Sequence, residues 1–110
     1  MKYNLIILFT LIIITAGFSQ KSSEQTLNDK EVQPLLSKNA CIGCHKKDKK
    51  SIGPSFIEIA KRKYSNERIL ELIYKPEPKN WPDFKIPMAP LSFVPKQEGL
   101  KIAAWINSLK

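Results

Sequence analysis

The stretch 38-KNACIGCHKKDKK-50 holds both cysteines of the chain and its only histidine. Cys41 and Cys44 are three positions apart, and His45 follows directly. Three chemistries use such a pattern: a redox dithiol, half of a zinc site, and a covalent haem attachment point. A redox dithiol of the thioredoxin kind needs a βαβ surround, and no alternating apolar–polar run here marks a strand. A structural zinc takes four ligands. The chain has two cysteines and one histidine to offer, and Cys44 and His45 are adjacent, which makes joint ligation awkward. Haem attachment uses every residue of the motif. Positions i and i+3 of a helical turn share a face, which suits two thiols adding to the two vinyl groups of a porphyrin. His45 then comes under the iron as one axial ligand.

The surroundings favour that reading. Lys2 gives a positive start, Leu5 to Ala16 is an almost unbroken apolar run, and small residues lead up to Gln20. This is the pattern of a secretory signal peptide over residues 1–19. An uncleaved membrane anchor is the alternative, but the apolar core is short of the roughly 20 residues that a span needs. No cysteine stands at the cleavage point, so nothing suggests a lipidated start. With the leader cleaved, no stable membrane insertion is expected and the protein is periplasmic. About 91 residues then remain. So small an exported domain usually needs a disulfide, metal or prosthetic group to complete its core. A covalently held haem supplies a large apolar body of that kind.

The chain has 18 basic and 10 acidic residues among 110. Export, and the lack of an interleaved aromatic–basic stripe, argue against nucleic acid as the partner. Lys46, Lys47, Lys49 and Lys50 follow the motif, and Lys61, Arg62 and Lys63 form a second cluster. Such runs are often only a solvated face. If they rim an exposed haem edge, they steer the protein to redox partners with acidic docking surfaces. A cytochrome reductase, a terminal oxidase or a periplasmic reductase would fit that description.

Residues 20–29 read as a polar, flexible lead-in, with the domain over residues 30–110. The regular part of the first helix is expected around Pro34 to Lys38, because proline suits only a first turn. A second helical pattern follows Gly53. A third, "NERILELIY", has Ser65 as its N-cap. The stretch from Lys75 to Pro95 holds six of the eight prolines. It is also rich in Trp, Phe, Ile, Met and Leu, so it reads as an irregular segment packed against something apolar. The last element, "KQEGLKIAAWINSLK", is amphipathic. The fold class is therefore all-α, with three or four short helices.

A second axial ligand separates electron transfer from ligand chemistry. There is no second histidine, and Met1 lies in the leader, which leaves Met88. It stands in "KIPMAP", where Pro87 and Pro90 stiffen a loop able to hold a thioether over the iron. The plain alternative is a core methionine filling a gap. A His45/Met88 pair fills both axial positions, so the iron passes single electrons rather than transforming a substrate.

With "CIGCH", "GPSF" at Gly53 to Phe56, "W…IPMAP" and the terminal "AAWI", the sequence resembles the small class I monohaem cytochromes c of bacteria. The resemblance covers Glu31 to Lys110. It implies the cytochrome c fold, short helices wrapped around one haem c, and a role as a soluble periplasmic electron carrier. It also implies that the Pro54 carbonyl accepts a hydrogen bond from the ring nitrogen of His45. Trp81 would cap the haem edge near a propionate, and Trp105 would lie where the terminal helix crosses the first. The chain departs from the pattern in "PDFKIP", longer between Trp81 and Met88 than in the short relatives, and in Gly99 inside the last helix. Other functions compete: a haem subunit of a larger reductase or oxidase complex, a haem sensor or peroxidase with a dissociable Met88, and a thiol oxidoreductase.

Overall fold

The computed structural model describes residue 17 and residues 25–110. The expected signal peptide and most of the lead-in lie outside the described residues. Helix α1 spans Asp29–Lys38, α2 Phe56–Lys61, α3 Asn66–Tyr74 and α4 Lys96–Ser108, with one 3₁₀ turn at Pro78–Asn80. No strand occurs among the described residues, and no helix there is long and apolar enough to cross a membrane.

Helix α1 starts earlier than its proline suggested. Pro34 lies inside the helix, in its second turn. A capping box holds the first turn: the Asn28 side chain accepts from the Glu31 backbone N–H at 2.8 Å, and the Glu31 carboxylate accepts from the Asn28 N–H at 3.1 Å. Two otherwise unpaired donors are thereby satisfied. Leu27, just ahead of the cap, packs against the core. The tertiary setting outweighs the hydrogen bond that Pro34 cannot make.

Helix α3 starts on its expected cap, Ser65, and α2 follows Gly53 on a second serine cap, Ser55. Ser55 accepts from the Glu58 N–H and Ser65 from the Arg68 N–H, both at 3.1 Å. Helix α4 is the hub, packing against each of the other three. Its buried face is Gly99, Ile102, Ala103, Trp105 and Ile106. Against it lie Val32 and Leu36 of α1, Phe56 of α2, and Ile69 and Ile73 of α3. Gly99 has a specific role: a Cβ there would lie 2.5 Å from Cδ1 of Leu70, so its bare backbone lets α3 and α4 approach closely.

Trp105 sits where α4 meets α1. It is 1 % exposed, and its indole Nε1–H donates to the Asp29 carboxylate at 3.0 Å. The same carboxylate pairs with Lys47. One acidic side chain thus ties α1, α4 and the segment following the cysteine motif.

Candidate functional site: an apolar cavity around the cysteine–histidine turn

Helix α1 ends so as to deliver Cys41 to the interior. Ala40 takes a left-handed conformation, with φ of 59°. The Cys41 N–H bonds the Leu36 carbonyl at 2.9 Å and the Ala40 N–H the Ser37 carbonyl at 3.3 Å. This is a Schellman ending, with alanine where glycine is usual. The chain then makes one helical turn: the N–H groups of Cys44 and His45 both reach the Cys41 carbonyl, at 3.3 and 3.1 Å. Cys41 and Cys44 therefore share a side, as the i, i+3 spacing requires. Cys41 is buried, Cys44 is exposed, and both are free thiols.

A second strip of chain locks the turn. The Gly53 N–H donates to the Cys44 carbonyl at 2.8 Å, and the N–H groups of Phe56 and Ile57 donate to the carbonyls of Lys46 and Lys47 at 2.9 and 3.0 Å. That strip carries Pro54 past the histidine, and His45 Nδ1 lies 2.7 Å from the Pro54 oxygen. A carbonyl can only accept, so Nδ1–H donates. In the neutral ring, Nε2 is then the nitrogen with a free lone pair. Burial pulls the His45 pKa down, partly opposed by the Pro54 hydrogen bond. The ring lies 5.4 Å from Phe56, which meets Trp105 edge-on at 5.1 Å.

A cavity of about 470 Å³ opens beside this turn. Cys41, Cys44 and His45 line it on one side, and Trp81, Phe84 and Met88 come from the proline-rich segment. Ile59 of α2, Ile69, Leu72 and Ile73 of α3 and Ile106 of α4 add apolar wall, with prolines and further apolar side chains of the loops. Met88 is 37 % exposed, which does not suit a methionine filling a gap in the core. Trp81 stands in a cluster of its own. The Arg62 guanidinium lies 3.9 Å above its ring, and Arg62 also donates to the Asn80 carbonyl at 2.9 Å. Phe84 meets Trp81 edge-on at 6.2 Å, and the Lys50 ammonium lies 4.8 Å from the Phe84 ring centre. Spacing along the chain gave no signal for these cation–ring pairs, because three separate loops contribute to them.

The donor chemistry separates the three readings of the motif. Burial pushes the Cys41 thiol up to about 11, whereas a redox dithiol depends on a lowered thiol pKa. Among the described residues, no three His, Cys, Asp or Glu side chains cluster as a metal site. Two thiols on one turn, an imidazole with one nitrogen already engaged, a thioether on the rim and apolar walls all fit a covalently tethered porphyrin.

Comparison with known proteins points the same way. The family described as "Cytochrome c" matches residues 20–110. Cytochrome c-551 of Pseudomonas denitrificans is 35 % identical over 83 residues, covering 71 % of this chain and 96 % of that relative. The crystal structure of wild-type Nitrosomonas europaea cytochrome c552 matches with a TM-score of 0.62 at 32 % identity, over 70 % of this chain and 98 % of the other. The four-helix architecture matches a solved structure of that kind, the sequence matches along most of its length, and the chain belongs to the cytochrome c family.

Proposed function

We propose that this chain is an exported carrier of single electrons, with Cys41 and Cys44 as the thioether tethers and His45 and Met88 as the axial pair. Family membership brings one covalently bound haem c with its iron. Bound in the cavity, that group accepts and returns one electron. The observation that carries the reading is a shared wall: Cys41, Cys44, His45 and Met88 all line one apolar cavity.

The protein's own residues prepare the site. The Pro54 carbonyl fixes the His45 tautomer and ring orientation and raises the basicity of Nε2. Gly53 leaves room for that ring. The apolar walls exclude water, which favours the less charged redox state and limits solvent reorganisation. Trp81, beneath Arg62, brings a tethered cation to the cavity rim, where a carboxylate of the group would find it.

Among the described residues, Lys49 and Lys50 have no carboxylate partner. They follow the tether turn and leave an uncompensated positive rim. The partners are therefore redox proteins with acidic surfaces, met by electrostatic steering that salt weakens. Residues 1–19 act as an export signal, so the site of action is the periplasm.

Absorption spectra of the matured protein, oxidised and reduced, beside those of Met88→Ala, test the reading. The expected result is a low-spin c-type spectrum whose weak long-wavelength methionine-to-ferric band disappears in the variant. A high-spin spectrum, or ready binding of carbon monoxide by the reduced wild type, would favour a sensor or peroxidase.

A further inference from the structure

The loop that carries Met88 is held almost entirely from its ends. The Phe84 N–H bonds the Trp81 carbonyl at 3.2 Å, and the Leu91 N–H bonds the Ile73 carbonyl of α3 at 3.0 Å. Between these anchors, residues 85–90 make no backbone hydrogen bond to the described residues. Ile86 and Met88 are exposed, at 63 % and 37 %. Pro87 and Pro90 stiffen the loop, but stiffness does not keep it against the cavity. That depends on the anchors.

The leading anchor is a ladder of rings and cations. Lys50 reaches over Phe84 at 4.8 Å, Phe84 stands edge-on to Trp81 at 80° between planes, and Arg62 covers Trp81 at 3.9 Å. Each step is an attractive geometry for the ring quadrupole. The ladder joins the loop after the tether turn, the C-terminal end of α2 and the base of the Met88 loop. Phe84 is its middle rung and lies in "PDFKIP", the part of the chain that departs from the family pattern.

We propose that Phe84, gripped by Lys50 and backed by Trp81, is a positioning residue that holds the Met88 loop closed and so keeps small ligands out of the sixth position. The inference rests on Met88 as the axial ligand. An added nitrogen base binds only in molecules whose loop has opened, so its apparent affinity scales with the open fraction. Loss of one ring contact and one cation contact raises that fraction about tenfold. Loss of the cation alone raises it about threefold.

Imidazole titration of the oxidised holoprotein, followed in the long-wavelength band and the Soret region, is the test. Phe84→Ala should bind imidazole about tenfold more tightly than wild type and Lys50→Gln about threefold more tightly, while Phe84→Tyr stays within about twofold of wild type. Wild-type affinity in both Phe84→Ala and Lys50→Gln, with the band intact, overturns the inference and leaves the ligand assignment standing. If Phe84→Ala fails to mature, Lys50→Gln against Phe84→Tyr decides, and equal affinities overturn it. If the wild type lacks a band that Met88→Ala removes, the ligand assignment itself has failed.

Discussion

Gly53 sits so close to His45 that a methyl group on its Cα would lie 2.7 Å from ring atom Cε1 and 3.0 Å from Nδ1. The ring cannot simply yield, because Nδ1–H is held by the Pro54 carbonyl and the far side meets Phe56. Gly53→Ala should therefore destabilise the holoprotein by about 1–3 kcal/mol. On the proposed axial role of His45, it should also shift the midpoint potential, since the Pro54 carbonyl that orients the ring moves. Denaturant unfolding and redox titration of the same preparation check both. Unchanged values in both would show that the packing is looser than the geometry indicates.

Lys63 takes φ of 53° in the connection from α2 to α3. It is an exposed, non-glycine residue in the left-handed region, where a Cβ costs about 1–2 kcal/mol. Glycine removes that cost but adds unfolded-state entropy of about 0.5–1 kcal/mol. Lys63→Gly should therefore stabilise the domain by about 0.5–1 kcal/mol, visible as a higher thermal midpoint. A lower midpoint would place the strain elsewhere.

Pro34 offers a second stabilising change. It is exposed and lies inside α1, so it leaves the Lys30 carbonyl without its i+4 donor. Pro34→Ala should raise stability by about 1–3 kcal/mol, less whatever proline contributes by restricting the unfolded chain. Urea midpoints measured side by side decide it.

Three paired carboxylates, Asp29 exposed and Glu77 and Glu98 partly buried, set the acid limb. Asp29 is held below the usual carboxylate range chiefly by its hydrogen bond from Lys47, then by that from Trp105. Glu77 is lowered first by Arg68, and Glu98 first by Lys38. Each binds protons more weakly folded than unfolded. Their contribution is thus present above the unfolded carboxylate pKa and lost as pH falls through the lower folded values. Stability should decline below about pH 4, and Asp29→Asn should flatten part of that decline. High salt should weaken the Asp29 contribution most, because that pair is the most exposed of the three. A decline that begins near neutrality would point to another group.

Legibility in the sequence followed the range of the interactions. "NERILELIY" with Ser65 could be read to the residue, because a serine cap and an i, i+3, i+4 apolar face are local signals. The tether motif was legible for the same reason: its chemistry lies within five residues. The start of α1 is hidden by Pro34, which suggests a later first turn, and is marked instead by the capping box of Asn28 and Glu31. That box is a local N-x-x-E signal. The reason for Gly99 is tertiary, the Leu70 side chain beside it, and leaves no local signal. Asp29, and the ladder from Lys50 to Arg62, had no signal at all. Apart from the neighbouring rings of Trp81 and Phe84, the partners lie 18 to 76 positions apart along the chain and meet only when the loops fold together.

Helix α4, packed on every other helix, also orders events in time. A chain delivered N-terminus first presents Cys41 and Cys44 more than fifty positions before Lys96 begins the element that closes over them. Until Trp105 and Ile106 arrive, α1, α2 and α3 have no common surface to pack on, and the buried thiol of Cys41 is still in reach of solvent. The attachment turn, being local, can form at once. Tethering can therefore precede closure, and the last thirteen-residue helix is the latch that completes the packed domain.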